Sequence, residues 1–254
     1  MLENWDGLIA LLVLVWPVLV AQRALHGELQ GLLLILTRSQ SATISVFSLL
    51  FVPGVLLHEL SHFLMARLLR VRTARFSILP EVLPDGKLQL GFVETEKTDV
   101  LRDGLIGLAP LLTGGAVLAY LGLNRLALSA LGITFAAADW PAFWAALRMV
   151  PQQADFWLWF YLAFSVATTM LPSESDRRAW LPILLWALVL IGAAILAGAG
   201  PWLLETLAPA LNAALRAAAV VFGISLGLHI ILWIPFRLLR AAAERLTGVR
   251  LVRR

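Results

Sequence analysis

Six apolar runs dominate the chain: Leu8–Val20, Thr43–Leu69, Gly104–Leu123, Phe156–Leu171, Trp180–Ala199 and Ala210–Phe236. Runs of this length and hydropathy belong in lipid, where every backbone polar group must find a partner inside its own segment or its neighbours. That requirement leaves helices as the spanning elements. The overall balance agrees. Of 254 residues, 60% are hydrophobic and 14% charged, with a mean hydropathy of +0.86. The expected fold is an all-α polytopic membrane protein, 1–254 as one integral membrane domain, with about six transmembrane helices. Gly31–Leu36 is apolar but too short to span, and reads as a re-entrant or loop segment. The N-terminal residues carry Glu3 and Asp6 and no basic residue, so the first run reads as a retained helix rather than a secretory signal.

After Arg70 the pattern changes. Arg75–Leu79 reads as a short strand and Pro84-Asp85-Gly86 as a turn. Lys87–Glu94 then alternates, with Leu88, Leu90 and Phe92 on one side. A β-hairpin or small sheet at the membrane surface is expected there. Trp140, Phe143 and Trp144 suit headgroup depth, the ordinary place for such rings.

Positive charge marks the cytoplasmic side of a membrane protein. A basic C-terminal tail, 237–254 (Arg237, Arg240, Arg245, Arg250, Arg253 and Arg254), reads as an amphipathic helix on anionic lipid, which puts the C-terminus in the cytoplasm. Counting back through the runs places Arg177-Arg178 and Arg67–Arg75 on that same side. The expected location is the cell membrane, multi-pass. The formal charge of +4 comes with no basic motif suited to nucleic acid, so a nucleic-acid partner is not expected.

Within the second run stand His58-Glu59-Leu60-Ser61-His62, the pattern His-Glu-x-x-His. On a helix, positions i and i+4 share a face, so two imidazoles can grip one zinc ion. The Glu beside the first can serve as general base on a water that the metal activates. A buried Glu flanked by two His in lipid also needs a partner or a cation. The chain has no Cys, so any zinc must be held by His and carboxylate. For the third ligand, His26 sits before a Gly in a polar stretch and His229 lies deep in the last run. Asp176 and Glu174, just past the helix break at Pro172, are the better candidates.

With these residues in place, the region 43–178 resembles the site-2 protease family of intramembrane zinc metalloproteases. Leu56 to His62, followed by Ala66-Arg67-Leu68-Leu69-Arg70, looks like the family's first motif. Gly107-Leu108-Ala109-Pro110 is like its Gly-Pro helix. Thr169-Met170-Leu171-Pro172 through Asp176 stands where the family has Asn-x-x-Pro and Leu-Asp-Gly. The last motif is a variant: Thr169 replaces Asn, the Pro-to-Asp gap is one residue shorter, and Arg177 follows the Asp. The resemblance implies zinc as cofactor, with His58, His62 and Asp176 as ligands and Glu59 as the catalytic base. It places Thr169 at the substrate or oxyanion contact and implies a transmembrane protein as substrate; the charge count puts the cut near the cytoplasmic side. The altered last motif raises an alternative, a catalytically inactive protease-like membrane scaffold. A transporter relaying ions through the His and Glu would need a continuous polar path, and too few intramembrane polar residues supply one.

Overall fold

The structure, a computed structural model, describes residues 5–82 and 88–249. Its helices are α1 (Asp6–Thr37), α2 (Gln40–Leu68), α3 (Val100–Tyr120), α4 (Leu128–Ala136), α5 (Trp140–Met149), α6 (Phe156–Thr169), α7 (Trp180–Ala194), the single turn α8 (Gly200–Trp202) and α9 (Ala208–Thr247). Between α2 and α3 lie strands β1 (Thr73–Ser77), β2 (Glu81–Val82), β3 (Leu88–Gln89) and β4 (Phe92–Thr95). The chain is thus a helical membrane protein with a small sheet after the second helix.

The number of crossings differs from the sequence reading. Among the described residues four helical stretches are long and apolar enough to span, not six: 6–37, 40–68, 100–125 and 180–247. Helix α6 has 14 residues, about 21 Å of rise against a hydrocarbon core of about 30 Å. The last two expected runs merge into one helical stretch broken only at Gly198, whose φ of 88° is open to glycine and costly for other residues. Gly31–Leu36 is not a separate segment but the last turns of α1. His26 lies inside that helix, not in a loop, with its ring edge-on to Phe47 of α2.

α1 ends where Arg38 turns left-handed (φ 52°), and Ser39 caps α2 by accepting from the Ala42 amide at 3.3 Å. The two helices fold back on each other, bringing His26 to Phe47 and Phe51. α1 and α9, by contrast, run side by side in the same direction. Asp6 meets Asn212 and Arg216 near their starts, and Glu28 meets Arg240 further along. The Glu28–Arg240 pair is 3.2 Å apart with both side chains about one-eighth exposed. Gly31 opens the space for that guanidinium, since a Cβ there would stand 3.0 Å from Nε of Arg240.

These pairings separate the basic clusters. α2 runs opposite to α9, so Arg67 and Arg70 stand at one end of the bundle and Arg237 and Arg245 at the other. The expectation that put both on one face took 180–199 as a full crossing. In the structure α7 starts against Gly104 at the Arg70 end, and α9 starts against Asp6 at that same end. Arg240 is also withdrawn from any lipid-facing basic stripe, because it is spent on Glu28 and Glu244. Arg250, Arg253 and Arg254 lie outside the described residues.

Two apolar clusters hold the centre. One gathers Leu118, Leu126, Ala163, Val166 and Met170 from α3, α6 and the segments that follow them, and Leu228 from α9. The other joins Leu25, Leu29, Phe47, Phe51 and Phe164. Both press α6 against α2, where Pro53 interrupts the backbone ladder. α6 supplies the missing partners. The Tyr161 hydroxyl donates to the Leu50 carbonyl at 3.0 Å, Ser165 Oγ accepts from the Gly54 amide at 2.9 Å, and it donates to the Phe51 carbonyl at 3.4 Å. Gly54 permits this approach, because a Cβ there would run into the Ser165 carbonyl and the Thr169 hydroxyl.

β1 and β4 pair antiparallel, Phe76 opposite Val93 and Arg75 opposite Glu94, with an irregularity between Thr73 and Arg75. β2 pairs with β3. The two pairs make one long hairpin whose expected turn, Pro84-Asp85-Gly86, lies outside the described residues.

Candidate metal centre

One turn below the Pro53 break, His58 and His62 project from one face of α2, and their Nε2 atoms stand 3.2 Å apart. The other nitrogen of each ring is already engaged. Nδ1 of His58 donates to the Thr169 carbonyl at 2.6 Å, and Nδ1 of His62 donates to the Ile106 carbonyl at 2.8 Å. A carbonyl only accepts, so both protons sit on Nδ1 and both Nε2 lone pairs point at the same place. The third group there is Asp176. Its Oδ1 lies 3.3 Å from Nε2 of His62 and its Oδ2 lies 3.7 Å from Nε2 of His58.

Two lone pairs and a carboxylate facing one another repel unless a cation or a proton lies between them. A zinc ion with bonds of about 2.0–2.1 Å in tetrahedral geometry needs ligand atoms about 3.3–3.4 Å apart. The two Nε2 atoms at 3.2 Å, and Nε2 of His62 with Oδ1 at 3.3 Å, match that spacing; His58 is approached by the other oxygen, Oδ2, at 3.7 Å, and one ligand atom from each of the three residues lies within 4.8 Å of the others. The donor set, two imidazoles and one carboxylate, is one that zinc accepts. The carbonyl partners on Nδ1 are the outer support that fixes tautomer and ring direction in zinc sites. These residues fit a divalent metal.

Asp176 reaches the centre from the loop between α6 and α7. Pro172 ends helical pairing, and Ser173 folds the loop by donating to Oδ2 of Asp176 from both its amide and its hydroxyl, each at 2.7 Å. Burial works against ionisation of this carboxyl. The facing imidazoles of His58 and His62, with help from the Ser173 hydrogen bonds, outweigh it and hold the pKa well below the usual carboxylate range. Asp176 is therefore an anion at neutral pH. Glu174, the other carboxylate considered, is exposed and stands outside the cluster.

Glu59 is 6% exposed, on the turn of α2 that carries both histidines. No described residue donates a hydrogen bond to its carboxylate, which leaves both oxygens free to accept from water or substrate. The hairpin lies against it: a Cβ on Gly91 would stand 2.8 Å from Cγ and 3.0 Å from Oε1 of Glu59. Glycine is the residue that lets the strand pass this close.

The Thr169 hydroxyl turns into its own helix, donating to the Ser165 carbonyl at 3.0 Å, so the contact Thr169 makes with the cluster is through its backbone carbonyl. His229 is fully buried away from the cluster, with Nδ1 donating to the Ser225 carbonyl at 2.7 Å and Nε2 facing the Thr168 hydroxyl at 3.3 Å. His26 is likewise remote, packed on Phe47 and Phe51.

Two supporting groups, the carbonyls of Thr169 and Ile106, carry no signal in sequence because they act through the backbone. Two others do. Ser173, three residues before Asp176, has the spacing of a side chain that closes a turn. Gly107 lies in the Gly-Leu-Ala-Pro stretch, and a Cβ there would collide with the Asp176 carbonyl. Compared with protein families, characterised proteins and solved structures, the chain matches none.

Proposed function

We propose that the chain is an intramembrane zinc metallopeptidase that hydrolyses a peptide bond in a transmembrane protein substrate. The observation that carries this reading is the convergence of two carbonyl-oriented Nε2 atoms and the Asp176 carboxylate at metal-ligand spacing, with Glu59 on the same helical turn. The resemblance of residues 43–178 to the site-2 protease family adds to it.

His58, His62 and Asp176 would hold the ion. When bound, zinc supplies a Lewis acid that polarises the scissile carbonyl and favours ionisation of a water beside it. Glu59 takes a proton from the attacking water as the new C–O bond forms, and delivers it to the amine as the C–N bond breaks. Its burial keeps bulk water from competing for that proton. A helical peptide bond is shielded by its own hydrogen bonds, so the substrate must unwind locally. β1 and β4 pair only with each other among the described strands, so each offers an unpaired edge to an extended segment. We assign the metal-bearing end of the bundle to the cytoplasm, because Arg67, Arg70, Arg72, Arg75, Arg177 and Arg178 crowd the short connections there.

The test uses the full chain in proteoliposomes with a panel of labelled single-span peptides whose helices are interrupted by Gly and Asn. The wild-type protein should cut members of the panel, and Glu59→Gln should cut none while keeping its zinc. Cleavage retained in Glu59→Gln would overturn the mechanism.

A further inference from the structure

One turn of α3, residues 103–107, touches the candidate centre three times. The Ile106 carbonyl accepts from Nδ1 of His62 at 2.8 Å. Gly107 lies flat against the Asp176 carbonyl. Asp103, at the start of the turn, takes a two-pronged grip from Arg178: Nε to Oδ2 at 2.7 Å and Nη2 to Oδ1 at 2.5 Å. Arg178 is two residues beyond Asp176 on the same loop. The loop that delivers the third ligand is thus fastened to the turn that orients the second.

We infer that Asp103 and Arg178 are positioning residues of the metal centre, a clasp that holds Asp176 in register with His62. This rests on the reading of His58, His62 and Asp176 as metal ligands. The rest of the loop shows why a clasp is needed. Several hydrogen bonds fold the loop on itself: Ser173 to Asp176, Arg177 Nε to the Ser173 carbonyl at 3.1 Å, and the Arg178 amide to the Ser175 carbonyl at 3.3 Å. Those bonds fix the shape of the loop but not its place relative to α3. The planar guanidinium, binding both carboxylate oxygens at once, sets both position and angle. Asp103 is the less exposed partner, at 18%, while Arg178 is 61% exposed. An exposed pair of this kind contributes little to global stability. Its effect should appear in metal affinity, which responds to ligand displacements of about 0.2 Å.

The experiment measures zinc affinity of the full-length protein in nanodiscs by competition with a chromophoric chelator, together with the ligand-field spectrum of the cobalt-substituted protein. Asp103→Asn and Arg178→Gln should each weaken zinc binding about tenfold, the lower end of the loss seen when an outer partner of a zinc ligand is removed. The double variant should be no weaker than either single one, since both remove the same clasp. Arg178→Lys, which keeps the charge but loses the fork, should recover part of the loss. The cobalt spectra of the single variants should lose tetrahedral intensity while metal-free melting temperatures stay near wild type. Wild-type affinity in both single variants, or additive losses in the double, would overturn the clasp and leave the three-ligand reading intact. Failure of the wild-type protein itself to bind zinc would overturn both.

Discussion

Gly107→Ala sets two effects of opposite sign against each other. In a helix interior alanine is favoured over glycine by about 1 kcal/mol, so propensity alone would stabilise α3. The structure places the new methyl inside the contact distance of the Asp176 carbonyl. Ordinary packing needs about 3.5 Å, so the loop must retreat by about 1.5 Å. Zinc ligands tolerate about 0.2 Å. The displacement is several times that tolerance and falls on a ligand residue, so the loss in affinity should be on the order of 10- to 100-fold, or about 1.4–2.8 kcal/mol. The assay is a zinc competition titration beside a melting curve of the metal-free protein. Gly107→Ala should bind zinc more weakly by a larger free energy than the metal-free protein loses in its melting curve. Gly132→Ala in α4 is the control, because nothing lies within 4 Å of its added Cβ. Zinc affinity of Gly107→Ala equal to wild type would refute the close approach of α3 to the Asp176 loop.

Three further outcomes follow from the geometry. Arg240→Met removes the guanidinium 3.2 Å from Glu28 and should destabilise the protein by roughly 1.5–3 kcal/mol, while the double variant Glu28→Gln/Arg240→Met should cost less than the two single variants summed; additive losses in a denaturation series would show that the two side chains do not interact in the working protein. The chain has no Cys, so single cysteines at Lys97 and Val249 can be probed from each side of a sealed vesicle, and they should react from opposite sides, Lys97→Cys from the cytoplasmic one; reaction from one common side would refute the parallel course of α1 and α9. Zinc retention should weaken from about pH 8 to about pH 5 as imidazole protons compete with the metal. Asp176, held below the ordinary carboxylate range, stays ionised throughout, so Asp176→Asn should lower affinity by a constant factor over that window, and a factor that shrinks as pH falls would mean that Asp176 titrates within it.

The legible parts of this chain are those written in short-range pattern. His58, Glu59 and His62 share a helix, and helical spacing alone puts them on one turn. The alternation at Lys87–Glu94 and the change of character after Arg70 mark the hairpin because strand pairing leaves its own period. Pro53-Gly54 announces a break in α2, and the structure supplies the remedy in Tyr161 and Ser165. The count of crossings was less legible, because hydropathy measures whether a segment can enter lipid and not which way it runs. A run such as 180–199 has the composition of a span, yet the contacts at Gly104 and Asp6 bring both its flanks to one end of the bundle. The sidedness drawn from the basic clusters rests on counting that run as a crossing. Arg240 looked like one more lipid-facing cation, since nothing local announces a carboxylate 212 positions earlier in the chain. Separations of 75 and 44 positions likewise hide Asp103 from Arg178 and the carbonyl of Ile106 from His62.

The central claim is that His58, His62 and Asp176 hold one zinc ion. Metal analysis of the purified full-length protein by mass spectrometry tests it most directly. Wild type and Glu59→Gln should each carry about one zinc per chain, and the triple variant His58→Ala/His62→Ala/Asp176→Ala should carry none. Zinc retained by the triple variant, or absent from a folded wild-type protein supplied with it, would contradict the account.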